Sequence, residues 1–323
     1  MWQFFSVFLP LLAFAGMTLL AMAPVMRWKL GRDLPVPKGG YSSGFLDGKL
    51  ILAGGTHWKD GKKRWLDETV GYRPKDDRWE SLPPLPRPLA YAASASDEHS
   101  FYFLGGAGPE TSERAGYRLK AENGRYSWER FTELPLDRCY ARAVVLNGQL
   151  LVIGGTTNLS DLSMASTSLL TLSLSEARAT WQALSPMPGE GRAVFAAAAC
   201  GGKLFVFGGC TADAKGNLRN LSSACQYDPS FNRWVQLKDV PVPTRGWGAS
   251  AADDRYIYLF AAMRFLHPPT QVPRARATSK IASIATTRCE VTTRKRLSCR
   301  MPAATFHFTT LKAPSTVAAA SPR

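Results

Sequence analysis

The chain has 323 residues, 45% of them apolar and 20% charged, which is enough for a buried core and excludes a disordered protein. Its formal charge of +15 is local: residues 264–323 hold 11 Lys and Arg and one acid, Glu290, leaving 29 basic and 24 acidic residues elsewhere. A uniformly basic, nucleic-acid-binding surface is therefore not expected. The six cysteines (139, 200, 210, 225, 289 and 299) show neither CxxC nor metal-ligand spacing, so no metal site and no cofactor are expected. A Cys210–Cys225 disulfide is compatible with an oxidising compartment, but buried free thiols are the preferred reading.

In chain order, residues 2–26 carry no charge and include the small-x-small sequence Ala21-Met22-Ala23. Residues 1–25 therefore read as a signal peptide, with an uncleaved N-terminal membrane anchor as the runner-up, and the body is expected to be exported, periplasmic or secreted. Residues 26–263 form a repeat region. The runs KLILAGG, SFYFLGG, QLLVIGG, KLFVFGG and YIYLFAA place their first small residue at 54, 105, 154, 208 and 261. Trp28, Trp79, Trp128, Trp181 and Trp234 precede these positions by 26 or 27 residues. A proline-bearing turn and a cation follow each Trp: Lys38, Arg87, Arg138, Arg192 and Arg245. Four of these cations lie 16 residues before the small pair and Arg87 lies 18 before.

β-Branched and aromatic runs that end in Gly-Gly read as strands. Units of about fifty residues with a buried Trp in the last strand resemble Kelch repeats, and the expected fold is an all-β Kelch propeller. Five double-small markers and the orphan Trp28 imply six blades, about five of them recognisable, with the N-terminal segment as the last strand of the closing blade. Residues 264–323 contain no Gly, Trp, Tyr, Asp or Asn. They read as the product of a shifted frame in place of the last blade, or as a basic disordered tail. A nucleic-acid-binding arm is the least favoured reading.

The five cations share one repeat position. They either form a positive ring that binds an anionic ligand or pin the turns by hydrogen bonds to carbonyls. Two long loops break the repeat. GGTHWKDGKKRWLDE (54–68) carries His57, Lys62, Lys63 and Trp65, and GGCTADAKGNLR (208–219) carries Asp213 and Arg219 and reads as irregular. These loops, with LPPLPRPLAYAAS (82–94), resemble exported Kelch-type sialic acid mutarotases (N-acetylneuraminate epimerases), whose blade-four loop reads Glu-Ala-Lys-Pro-Gly-Leu-Arg where this chain has Asp213-Ala-Lys-Gly-Asn-Leu-Arg219. The resemblance implies that Asp213 is the proton acceptor and that Arg219 holds the substrate carboxylate. Lys38, Arg87, Arg138, Arg192, Arg245, Lys62 and Lys63 are substrate-binding candidates. It also implies a small-molecule sugar acid as ligand and a monomer that meets a membrane only through an uncleaved N-terminal segment. The departure is Asp for Glu, one methylene shorter. The alternative is a non-catalytic propeller that binds an acidic glycan or protein. No Tyr/His ligand set for a copper oxidase is present.

Overall fold

The computed structural model describes residues 31–240, 245–252, 256–263 and 284–288, with side chains described for 31–240 and 256–259. The predicted leader, Trp28 and the rest of the 264–323 stretch, including Cys289 and Cys299, lie outside the described residues. So does the reading of that stretch as frame-shifted.

Blade one comprises β1 (Ser42–Leu46), β2 (Lys49–Ala53), a projecting hairpin of β3 (Thr56–Lys59) and β4 (Lys62–Trp65), then β5 (Thr69–Arg73) and β6 (Arg78–Leu82). Blade two is β7 (Ala93–Ser96), β8 (Ser100–Leu104), β9 (Gly116–Glu122) and β10 (Arg125–Arg130). Blade three is β11 (Arg142–Leu146), β12 (Gln149–Ile153), β13 (Leu169–Ser173) and β14 (Gln182–Leu184), with a 3-10 turn at Leu162–Met164. Blade four is β15 (Ala196–Cys200), β16 (Lys203–Phe207), a second hairpin of β17 (Cys210–Ala212) and β18 (Leu218–Asn220), then β19 (Ala224–Asp228) and β20 (Arg233–Leu237). β21 (Arg245–Ala252), β22 (Tyr256–Met263) and β23 (Ile284–Arg288) form a three-stranded fifth sheet, whose third strand comes from within the predicted tail.

Each of the four complete blades is an antiparallel meander. Strands β1, β7, β11, β15 and β21 neighbour one another in that order and line the central channel. Apolar side chains from adjacent blades fill the space between sheets. Ile51 shares a cluster with Phe103, Leu104 with Val152, Ile153 with Val206, and Phe205 with Leu259. Both long loops that break the repeat are hairpins, which corrects the irregular reading of 208–219. Asp60 and Gly61 both have positive φ, which suits a tight two-residue turn between β3 and β4. Among the described residues no helix is long and apolar enough to cross a membrane.

Trp79, Trp128, Trp181 and Trp234 are half-buried, not buried, because they sit on or immediately before the outermost strands. Their indole N–H groups staple neighbouring blades. Trp79 donates to the Arg32 carbonyl at 3.1 Å, Trp128 to Pro83 at 3.0 Å and Trp234 to Ser185 at 2.8 Å. Pro83 and Ser185 each lie four residues after the previous Trp, and Arg32 lies four after Trp28. Among the described residues the N-terminal segment meets blade one at Arg32, and the closing strand expected around Trp28 lies outside them. Trp181 breaks the series, since its buried Nε1 has no partner. Trp128→Phe is expected to cost about 1 kcal/mol more than Trp181→Phe, because only the first loses a hydrogen bond. Urea midpoints of the two variants check this.

Candidate functional site

The site-bearing face is the channel mouth where the innermost strands begin. Isolated bridges Gly39–Thr56, Ala90–Ala107, Cys139–Thr156 and Ala193–Cys210 tie the start of each innermost strand to the chain leaving the second strand. Both projecting hairpins rise from this face. The residues after the bridges form a ring of backbone bonds from blade to blade. Tyr91 N–H donates to Gly40 O at 2.7 Å, Tyr140 to Tyr91 at 2.8 Å and Val194 to Tyr140 at 3.3 Å. All four have positive φ (66°, 62°, 57° and 51°). For two tyrosines and a β-branched valine this is strained backbone, worth on the order of 1–3 kcal/mol each, of the kind that gathers at ligand clamps.

Gly-Gly and the cations turn out to be one device. The main-chain carbonyl of Arg138 accepts from Gly106 N–H of the preceding blade at 2.7 Å, and that of Arg192 accepts from Gly155 at 2.8 Å. A Cβ on Gly105, which has φ +69°, would lie 2.2 Å from the Arg138 carbonyl oxygen, so the approach demands glycine. The Arg138 side chain then donates to Gly154 O at 2.8 Å and to Ser168 Oγ at 2.7 Å of its own blade. Arg192 donates to Gly208 O at 3.0 Å, Ser223 O at 3.1 Å and Ser223 Oγ at 2.9 Å. Both arginines are buried, and burial lowers the pKa of each guanidinium.

Lys38 serves the same position with a Glu68 ion pair at 2.8 Å and a fully buried side chain. Glu68, Ser168 and Ser223 each precede the third strand of their blade. Arg87 departs from the ring, because Leu89 stands 16 residues before Gly105 and its carbonyl accepts from Gly55 N–H at 2.9 Å. Arg87 pairs with Glu113 at 2.6 Å and lines a groove of about 340 Å³ with Tyr117, Arg130 and Glu133. Arg245 begins β21 and pairs through its backbone with Met263; its side chain lies outside the described ones. Pinning of turns is therefore what Lys38, Arg138 and Arg192 do in this structure, and their donors are committed within the blade.

On the first hairpin, Lys62 is exposed, while Lys63 Nζ lies over the rings of Trp65 and Tyr91, 4.6 and 4.9 Å from their centroids. Tyr91 in turn packs on Tyr140 at 4.9 Å. His57 Nδ1 lies 2.8 Å from the Pro37 carbonyl.

On the second hairpin, Thr211 pairs with Arg219 and Ala212 with Leu218. By strand alternation Asp213 and Arg219 share one face of the ribbon. The opposite face carries Cys210 and Ala212, which pack with Tyr140, Leu162 and Val194. Asp213 is exposed at the tip, where Oδ1 accepts from Lys215 N–H and Asn217 N–H at 2.9 Å and Oδ2 from Asn217 Nδ2 at 2.9 Å. The side-chain bond from Asn217, its backbone N–H and the nearby Arg219 hold this carboxyl below the ordinary aspartate range. Arg219 Nη2 is paired to Glu190 in the turn before Arg192. Glu190 has no repeat equivalent, and the only trace it leaves in the sequence is an acid between two glycines.

Among the described residues no group of three or more His, Cys, Asp or Glu gathers as a metal site. Cys139, Cys200, Cys210 and Cys225 are buried thiols outside any disulfide, and burial pushes Cys225 up to about 11. Cys210 and Cys225 are not joined.

Sheets set round a channel, with phased Gly-Gly pairs and outer-strand tryptophans, define a Kelch β-propeller. Residues 159–264, which include Glu190, Asp213 and Arg219, match the family model described as N-acetylneuraminate epimerase. That stretch is similar to the N-acetylneuraminate epimerase family, and the chain has the fold of a Kelch β-propeller. It is similar to N-acetylneuraminate epimerase of Haemophilus influenzae (strain PittEE), 39% identical over 94 residues, which cover 27% of this chain and 24% of that protein. Beta-scruin of Limulus polyphemus is 31% identical over 199 residues, 58% of this chain and 20% of that protein. The chain thus spans about a fifth to a quarter of these relatives. The solved structure of YjhT superposes with a TM-score of 0.67 at 14% identity, covering 86% of this chain and 88% of that one, and shows the shared fold.

Proposed function

We propose that the protein is an exported mutarotase that interconverts the anomers of N-acetylneuraminate or a related sugar acid. The observation that carries this reading is the placement of Asp213 and Arg219 on one face of the β17–β18 hairpin, inside the stretch that matches the epimerase model. Opening the cyclic hemiketal requires a base for the anomeric hydroxyl proton and delivery of a proton to the ring oxygen as the C–O bond breaks. Ring closure on the other face of the carbonyl then gives the second anomer. Asp213, ionised and exposed at the hairpin tip, is the proton acceptor. Arg219 lies beside it, and its reach to a substrate carboxylate requires Glu190 to give way.

The test is the approach of a freshly dissolved single anomer of N-acetylneuraminate to anomeric equilibrium, followed by NMR. Folded protein should speed that approach. An unchanged rate overturns the reading, and binding without acceleration reassigns the propeller as a binding module for an acidic ligand.

A further inference from the structure

Arg142 is the only charged residue on the four channel strands whose side chains are described, β1, β7, β11 and β15. Counted from the ring of strained residues Gly40, Tyr91, Tyr140 and Val194, it stands two positions further along its strand. The other blades place Ser42, Ala93 and Ala196 there. Its Nε donates to the Phe195 carbonyl of blade four at 2.6 Å. Ser42 makes the equivalent bond, its Oγ donating to Ala92 O at 3.1 Å. A hydroxyl thus suffices for the inter-blade contact, and the guanidinium is more than the fold requires.

The surplus is a charge. Among the described residues no carboxylate lies within ion-pairing distance of Arg142, and its Nη1 and Nη2 have no protein acceptor. The neighbouring cations are committed: Lys38 to Glu68, Arg87 to Glu113, Arg138 and Arg192 to carbonyl and serine oxygens, and Arg219 to Glu190. Arg142 is half-buried between blades three and four, where an uncompensated charge is costly and an anion offsets the cost. Two residues before Arg142, Tyr140 packs on Tyr91 and, like Val194 and Ala212, against the cluster of Leu162, Ala193 and Cys210, and Ala212 leads directly into Asp213. The seam between blades three and four thus carries a forked cation bonded to Phe195 and the Tyr140 ring packed at the root of the base-bearing hairpin.

We propose that Arg142 binds the carboxylate of the ligand, bidentately through Nη1 and Nη2, while Tyr91 and Tyr140 flank the sugar. This rests on the sugar-acid reading above and replaces Arg219 with Arg142 as the carboxylate anchor. The test is a titration of the full chain, read on the Arg Nε–Hε resonances and by calorimetry, with N-acetylneuraminate, with pyruvate as a bare 2-keto acid, and with neutral N-acetylmannosamine. The acids should shift the Arg142 resonance and the neutral sugar should not. Arg142→Gln should weaken N-acetylneuraminate binding at least tenfold, with Arg142→Lys in between and Arg219→Gln nearer the wild type. Equal binding to the wild type and Arg142→Gln overturns the proposal and leaves the mutarotase reading standing. The absence of any shift at Arg142 with either acid also overturns it, and this readout needs no variant to fold. A shift with pyruvate alone supports the anion site while removing N-acetylneuraminate as its ligand.

Discussion

Asp213→Asn is expected to lower protein-catalysed anomeric exchange by about a hundredfold or more, the usual contribution of a positioned general base, while lowering the melting temperature far less than Asp213→Ala does. The two effects separate because Asp213 has two roles. Its Oδ1 closes the hairpin tip by accepting from Lys215 and Asn217 N–H groups, which an asparagine oxygen still does more weakly, while Asn217 must turn its amide oxygen towards the new NH2 in place of its bond to Oδ2. What asparagine lacks is the capacity to take a proton. Asp213→Ala removes both roles and should lower activity and stability together. Full activity in Asp213→Asn would reduce Asp213 to a turn residue. The pH profile carries the same signature. The bonds from Asn217 and Lys215 hold the carboxyl below the ordinary aspartate range, so it stays ionised through neutral pH. The rate should fall on acidification only as pH drops below the range of an ordinary aspartate.

This dual use also explains the departure from the family pattern. A carboxylate one methylene longer would stand further from the Lys215 and Asn217 N–H groups, so the short side chain suits a tip closed by its own oxygen. Asp213→Glu should therefore lower the melting temperature even where it brings the acid nearer to substrate.

The propeller was legible because its markers are local. Gly-Gly is demanded by a carbonyl about 2 Å from where a Cβ would sit, and the constant 16-residue offset to the cation is the span from that carbonyl's residue back to its own blade. The same regularity misled at Arg87, where two inserted residues hand the position to Leu89, whose carbonyl does the work with no cation. The Asp213 and Arg219 pair was legible by its resemblance, but not as a hairpin, since short strands of three residues leave no alternating pattern to read. Glu190 and Arg142 were invisible for a further reason. Arg142 is an exception at a position where other blades carry Ser42, Ala93 and Ala196, Glu190 has no repeat equivalent, and only the structure shows what each touches.

Arg192→Ala is expected to destabilise the protein by roughly 4 kcal/mol. Three bonds from a buried guanidinium are lost, leaving Gly208 O and both Ser223 oxygens without their donor, and each orphaned buried acceptor costs about 1–3 kcal/mol. A cavity replaces one of the largest fully buried side chains. Relaxation and water entry recover part of that sum, so the net is set near the cost of removing one partner of a buried charge interaction. Because total stability is about 5–15 kcal/mol, the loss should be evident as a lowered urea midpoint at constant slope. Arg192→Lys keeps a cation but reaches fewer of the three oxygens and should fall between the two. A shift below about 1 kcal/mol for Arg192→Ala would mean that the guanidinium is not the clamp described. The contrast with Arg142 is then decisive: removing Arg192 should cost stability before it costs binding, whereas Arg142→Gln should do the reverse, because among the described residues Nη1 and Nη2 of Arg142 have no protein acceptor.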